Sequence, residues 1–209
     1  TARFYTDSEE KIGEALSDVR DNIYIATKTA AQNSEDFWKD LATSLKNLKT
    51  DYIDIYFYHR DNEAIPAGEL IEIMEEFRKE GKIRYYACSN WSTARMKEAD
   101  AYAASKGYRG FVANEALFNI GSASMRPLAD DTLAVMNQEM QQYHVENPQN
   151  LAMPYMSVCS GFFHKLYAGG ADAVRNSEYY TPENLKAAEG LHGLMEEYQI
   201  SLTQAVLGY

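Results

Sequence analysis

The 209-residue sequence predicts an α/β protein whose parallel strands alternate with helices and form a (β/α) barrel. Short runs rich in Ile, Tyr, Val and Phe alternate with amphipathic segments, which is typical of strands connected by crossover helices. No G-x-G-x-x-G motif follows the first run, and this argues against a doubly wound dinucleotide fold. Polar residues stand where the runs end, as barrels require, because their chemistry lies at the carboxyl ends of the strands.

The individual elements follow from these patterns. Strand composition marks five runs, at 22–28, 52–59, 83–90, 110–115 and 151–157. Apolar residues at helical spacing predict helices over 34–48, 69–81, 92–107, 130–147 and 181–199. The first of these helices opens on an S-x-x-[DE]-like cap, and the second ends on Gly81. Because no stretch rich in Pro, Gly or Ser separates two halves, the sequence predicts one domain over 1–209.

Composition excludes several classes of function. A formal net charge of −11 argues against nucleic acid or an anionic membrane surface as a partner. No run of eighteen apolar residues occurs, and "TARFYTDSEE" has neither the basic nor the apolar part of a signal peptide. Cys88 and Cys159 lack the spacing of a zinc site, so we expect reduced thiols in a cytoplasmic protein. We assign no metal.

The residues at the strand ends are the candidate functional side chains. Ile53, Ile55 and Phe57 alternate along the second strand, and the same face continues to His59 at the predicted mouth of the barrel. Asp54 points the other way, so we interpret it as a buried structural carboxylate that accepts from a neighbouring donor. The other strand-end candidates are Lys28, Ser89, Asn90, Glu115 and Tyr155.

Acidic residues also mark the start of the first helix. Asp7, Glu9 and Glu10 stand where negative charge complements the helix dipole, and we interpret all three as capping residues.

Five stretches together resemble the aldo-keto reductase superfamily, and more closely its bacterial branch similar to aryl-alcohol dehydrogenases. They are "ARFYTDSEEKIGEAL", "IYIATK", "SLKNLKTDYIDIYFYHR", "EGKIRYYACSNWS" and "SLTQAVL". The resemblance covers the whole chain. It implies a TIM barrel that reduces aldehydes or ketones with NADPH. By this resemblance the chain holds about five of the eight strands of a barrel, without the first two and the last.

The resemblance also implies a role for each candidate residue. Tyr5 corresponds to the family tyrosine that protonates the carbonyl oxygen, and since a free phenol has a pKa of about 10, it needs help near neutrality. Lys28 would stabilise the tyrosinate, and His59 would orient the carbonyl. Three residues would hold the nicotinamide of NADP(H): Ser89 and Asn90 at its carboxamide, and Tyr155 by ring stacking.

Two departures from the family pattern bear on function. Glu115 stands where the family most often has glutamine, so it can accept from the carboxamide NH₂ but cannot donate to the carboxamide oxygen, a role left to Asn90. Its negative charge should favour the oxidised, cationic ring. The family's catalytic aspartate and its loop for the 2′-phosphate would both lie outside the sequence given.

The resemblance leaves alternatives open. We expect a small aldehyde or ketone as substrate, with the oligomeric state undecided. The alternative is a catalytically inactive or regulatory barrel that binds a cofactor or a protein partner. A third hypothesis is that Lys28 forms a Schiff base with a carbonyl substrate, as the lysine of an aldolase does. With strands missing from the barrel, we also expect Tyr5 to lie displaced from Lys28 and His59.

Overall fold

The computed structural model describes residues 1–29 and 31–209, and its central feature is a parallel sheet. Among the described residues, five strands follow one another in chain order across this sheet. They are β1 (Ala26–Thr29), β2 (Ile53–Tyr58), β3 (Ile83–Ser89), β4 (Ala113–Glu115) and β5 (Leu151–Ala152). Strands paired in sequential order with helical crossovers are the arrangement of a (β/α) barrel, so the predicted fold class is confirmed as an incomplete barrel.

The helices of the described residues occupy most of the predicted segments. Their bounds are α1 (Ser8–Leu16), α2 (Ser34–Asn47), α3 (Ala67–Lys79), α4 (Thr93–Lys106), α5 (Gln138–Glu146), α6 (Phe162–Gly169), α7 (Pro182–Tyr198) and α8 (Leu202–Leu207). Within the described part of the chain, no helix is long and apolar enough to cross a membrane.

Several elements are shorter than predicted. The helix predicted over 130–147 begins only at Gln138, because Asn137 Oδ1 accepts from the Met140 amide at 2.9 Å and thereby caps the helix there. The strand predicted over 151–157 ends at Ala152, two residues before Pro154, which has no N–H for a ladder. Tyr155 continues the pairing only as an isolated bridge to Leu117.

The chain forms two compact units. The first comprises 1–114 and 142–152, and the second comprises 115–141 and 153–209. The prediction of a single barrel domain over 1–209 stays a prediction. In the second unit, α6, α7 and α8 pack around one apolar core, and the residues fully buried in it include Cys159, Phe162, Phe163, Leu191 and Val206.

In the first unit, strand β2 is buried on both faces. Tyr58 lies against Phe37 of α2 with ring centroids 5.2 Å apart, and Tyr56 lies against Phe77 of α3 at 6.2 Å. These aromatic contacts fix α2 and α3 on the sheet and so fix the strand that ends at His59.

Asp54, also on β2, is fully buried and pairs with two arginines. Its carboxylate lies 2.7 Å from Arg20 Nη2 and 2.9 Å from Arg84 Nη1, and it accepts from the Ile25 amide at 2.9 Å. The interpretation of Asp54 as a structural carboxylate is therefore confirmed.

Glu9 makes contacts beyond the capping role expected of it. It is only 2% exposed. Its carboxylate accepts from Thr27 Oγ1 at 2.7 Å and from Asn47 Nδ2 at 3.3 Å, so it joins α1 to β1 and to the end of α2. Glu9 lies in the first turn of α1, where its charge complements the helix dipole, and its two donors give it a packing role as well.

The segment Thr1–Arg3 pairs with β1 through backbone hydrogen bonds. Thr1 N donates to Ala26 O and Arg3 N donates to Lys28 O, both at 2.9 Å. Thr1–Arg3 thus runs alongside β1 and carries the following loop to the carboxyl end of the sheet.

Gly13 allows α1 to approach the end of α2 closely. A Cβ added at Gly13 would lie 2.3 Å from Asn47 O and 2.7 Å from the Leu48 carbonyl carbon, both backbone atoms. The glycine of the motif S-E-x-x-I-G therefore has a packing function.

We expect Gly13→Ala to lower the free energy of unfolding by about 1–3 kcal/mol, because the added methyl forces backbone apart in a packed region. Urea denaturation would measure the loss. Gly190, inside α7, is the matched control, since nothing lies within 4 Å of a Cβ added there. Gly190→Ala should be neutral or stabilise by up to about 1 kcal/mol. Equal effects at the two sites would contradict the close approach.

Candidate active site

Tyr5 lies in the turn between the Thr1–Arg3 segment and α1. Its amide donates to Ala2 O at 3.0 Å, and its carbonyl accepts from the Ser8 amide at 2.9 Å. The side chain is 47% exposed, so its hydroxyl can meet a substrate from solvent. The turn places Tyr5 directly after the residues that pair with β1.

His59 follows β2 and is held through its backbone from both neighbouring strands. Its amide donates to Thr29 O at 3.2 Å, and its carbonyl accepts from Asn90 Nδ2 at 3.2 Å and from Arg60 Nη1 at 2.8 Å. The side chain is half-buried. These bonds anchor the histidine at the carboxyl edge of the sheet.

The rings of Tyr5 and His59 are in contact. Their centroids are 5.6 Å apart with an interplanar angle of 85°, an edge-to-face arrangement. The expectation that Tyr5 lies displaced from His59 was therefore wrong. The reason is the backbone pairing of Thr1–Arg3 with β1, which fixes the loop that carries Tyr5.

Lys28 is the third member of this group. It is 7% exposed near the end of β1, where its Nζ donates to Thr1 O at 3.2 Å and lies 5.3 Å from the centroid of Phe57. Its charge acts on the His59 imidazole. The structure thus brings Lys28, His59 and Tyr5 to one end of the sheet.

Burial lowers the pKa of His59 to about 4, and the positive charges of Arg60 and Lys28 act in the same direction. The imidazole is therefore neutral at neutral pH. A neutral imidazole carries one N–H donor and one acceptor nitrogen, and the donor can bind a carbonyl oxygen.

This lowered pKa predicts a pH dependence of stability. Because the unfolded His59 binds a proton below about 6.5 and the folded one only below about 4, its contribution is fully present above that window and is lost as the pH falls through it. We expect His59→Gln to reduce the dependence of the free energy of unfolding on pH between these two values. Urea titrations of both proteins at several pH values would measure the difference, and identical slopes would contradict the assignment.

Ser89 and Asn90 occupy the end of β3 beside His59. Asn90 is buried in a left-handed conformation with φ of 62°, which asparagine tolerates better than most residues. Its Nδ2 donates to Ser89 Oγ at 3.0 Å and to His59 O at 3.2 Å. The predicted cofactor residues and the predicted catalytic histidine are thus connected directly.

The other two predicted cofactor residues belong to the second compact unit. Glu115 ends β4 and is half-buried. Tyr155 is half-buried, its amide donates to Ala116 O at 3.1 Å and its carbonyl accepts from Phe118 N at 3.3 Å. Their cofactor roles stay predictions.

One neighbour of the site was not predicted. Phe4 is 75% exposed, and its ring meets His59 edge to face at 6.3 Å between centroids. The sequence offered one indication of this contact, because Phe4 stands next to Tyr5 and both precede the same helix. Among residues 1–29 and 31–209, no group of three or more His, Cys, Asp or Glu side chains is arranged to hold a metal.

Comparison with known proteins identifies relatives that are named as reductases. The chain is 36% identical to the aldo-keto reductase YhdN of Bacillus subtilis over 104 residues, which are 44% of this chain and 31% of that protein. It is 30% identical to the methylglyoxal reductase YeaE of Escherichia coli over 126 residues, which are 58% of this chain and 43% of that protein. The aligned regions thus span less than half the length of either relative.

A solved structure gives the same fold. The aldo/keto reductase from Klebsiella pneumoniae in complex with NADP and acetate superimposes with a TM-score of 0.70 at 22% identity, over 99% of this chain and 62% of that one. The family model for the Aldo/keto reductase family matches residues 1–209. Since that match covers the whole sequence, the chain belongs to the Aldo/keto reductase family.

Proposed function

We propose that the protein containing this chain is an NADPH-dependent oxidoreductase that reduces aldehydes or ketones to alcohols, with Tyr5 as the proton donor. The observation that carries the proposal is the contact of the exposed Tyr5 ring with the neutral His59, beside the buried Lys28. Membership of the family supports the reaction class. The name of YeaE supports a small carbonyl compound as substrate, and the Klebsiella complex supports NADP.

Each residue of the group has a distinct task in this reaction. The Tyr5 phenol gives its proton to the carbonyl oxygen, which becomes the alcohol hydroxyl. The Lys28 ammonium stabilises the tyrosinate that remains, because a nearby positive charge favours the ionised phenol. The neutral His59 donates its single N–H to the same carbonyl oxygen and orients it. When bound, the reduced nicotinamide supplies the hydride that the carbonyl carbon accepts.

The donor set at the end of β3 fits a carboxamide. Asn90 and Ser89 each carry a hydrogen-bond donor and an acceptor, which are the two kinds of group that a carboxamide requires. Ser89 Oγ accepts from Asn90 and keeps a proton to donate to the carboxamide oxygen. Tyr155 and Glu115 complete the proposed set of cofactor residues.

The test is a pair of measurements on the full-length protein. Fluorescence titration with NADPH and with NADH measures binding, and loss of NADPH absorbance with methylglyoxal or an aromatic aldehyde measures turnover. We expect tighter binding of NADPH and carbonyl-dependent oxidation. Binding without turnover of any aldehyde or ketone would support the regulatory alternative, and absence of binding would overturn the proposed function.

Glu115→Gln tests the proposed carboxylate beside the nicotinamide. We expect this change to weaken the binding of NADP⁺ more than that of NADPH, because the carboxylate attracts the cationic ring and not the neutral one. Titrations of both cofactor forms against wild type and variant measure the two ratios. Equal losses for both forms would show that Glu115 does not face the ring.

A further inference from the structure

Arg95, in the first turn of α4, binds the loop that follows His59. Its guanidinium meets the Asp61 carboxylate through two bonds, Nε to Oδ2 at 3.0 Å and Nη2 to Oδ1 at 3.3 Å. Nη2 also donates to the carbonyl of Ile65 at 2.7 Å. One side chain therefore holds the loop near its beginning and near its end.

The surroundings of Arg95 make this contact rigid. The Arg95 side chain is 10% exposed and that of Asp61 is 11% exposed, and the guanidinium carbon lies 5.1 Å from the centroid of the Trp91 ring. A planar guanidinium that lies over an aromatic ring and pairs with both carboxylate oxygens has one favoured orientation. Such a buried pair is also poorly screened by solvent, so loss of one partner leaves an uncompensated charge.

Glu98, one turn further along α4, extends the same attachment. Its Oε2 accepts from Arg95 Nη1 at 2.8 Å, and its Oε1 accepts from the amide of Ala67 at 3.3 Å, where α3 begins. Helix α4 thus binds the loop at Asp61 and Ile65 and the helix that follows at Ala67.

We propose that Arg95 is a positioning residue for His59, which holds the loop from Asp61 to Ile65 and so keeps the imidazole against Tyr5. This inference rests on the proposed function, in which that contact sets the site for proton transfer. Asp61 is two residues from His59, whose backbone is fixed on the other side by Thr29 and Asn90. Release of Asp61 would let the loop move and admit water to the imidazole.

The test compares Arg95→Met with wild type in the full-length protein by NMR titration of the His59 imidazole. In wild type we expect a midpoint well below the ordinary value of 6.5, and in the variant a midpoint that moves up towards it, because a mobile loop hydrates the ring. We also expect kcat for carbonyl reduction to fall about tenfold or more, since small misplacements of a catalytic group are costly. The KM for NADPH should stay within about twofold of wild type.

Arg78→Met is the matched control. Arg78 pairs with the buried Glu75 at 2.8 Å on α3, so its loss also removes a helical ion pair to a buried carboxylate. We expect this variant to lose stability without moving the His59 midpoint. An equal shift of the His59 midpoint in both variants would show that Arg95 acts only through general stability, and this would overturn the proposal.

Two further variants keep the test decisive. If Arg95→Met does not fold, Arg95→Lys replaces it in the test. Lysine retains the charge but not the bidentate geometry, so an intermediate shift of the His59 midpoint is expected. An unchanged midpoint in a folded Arg95 variant overturns the proposal.

The double variant Asp61→Ala with Arg95→Met tests whether the two residues act together. Its kcat should fall no further than in the single variants, whereas independent losses would also overturn the proposal. A wild type without turnover would overturn the proposed function, and the NMR midpoints would still decide whether Arg95 positions His59.

Discussion

Tyr5→Phe is expected to abolish carbonyl reduction in the full-length protein while NADPH affinity stays nearly unchanged. The change removes one hydroxyl and keeps the ring that contacts His59 at 5.6 Å, so the packing of the loop should survive. Because the hydroxyl is the proposed proton donor, we expect a loss of at least about a hundredfold, the usual scale for a positioned general acid.

Turnover and binding must be measured on the same preparation. NADPH oxidation with a reactive aldehyde gives kcat, and fluorescence titration gives the cofactor affinity. Phe4→Leu is the control, because Phe4 also meets the His59 ring but carries no proton to transfer. Activity of Tyr5→Phe within about tenfold of wild type would remove Tyr5 from the role of proton donor.

Asp54→Ala is expected to have the largest effect on stability. The substitution leaves Arg20, whose side chain is 9% exposed, without its carboxylate at 2.7 Å and leaves the Ile25 amide without an acceptor. Breaking a buried ion pair by removing one partner destabilises by about 3–5 kcal/mol, because the remaining charge is uncompensated. Urea denaturation of wild type and variant would measure the loss.

Asp7→Ala is the control for this prediction. Asp7 pairs with Lys11 at 2.8 Å on the surface of α1, where the two side chains are 62% and 71% exposed. Solvent screens an exposed pair, so little change in the free energy of unfolding is expected. Losses of similar size at Asp7 and Asp54 would contradict the burial of the Asp54 pair.

Sequence patterns predicted the fold where local composition and packing agree. The segments 52–59 and 83–90 became β2 and β3 within one residue of their predicted bounds. The strand predicted over 22–28 begins only at Ala26, because 17–22 forms a short 3₁₀ helix whose Arg20 binds Asp54. That contact joins residues 34 positions apart, and no local pattern could reveal it.

The site was predictable in part for the same reason. Alternation along β2 placed His59 at the strand end, and the position of Lys28 followed from its own strand. Residue patterns alone could not predict the contact between Tyr5 and His59, because it depends on the pairing of Thr1–Arg3 with β1. The position of Glu9 at a helix start was predictable, but its bonds from Thr27 and Asn47 were not, because they join residues that are distant in sequence.

The pairing of Thr1–Arg3 with β1 also makes the position of the phenol depend on residues remote from it in chemistry. The carbonyls of Ala26 and Lys28 accept from Thr1 and Arg3, and the Arg3 side chain lies 3.8 Å from Asp40. A substitution that loosens this segment would therefore shift Tyr5 relative to His59 without altering either ring.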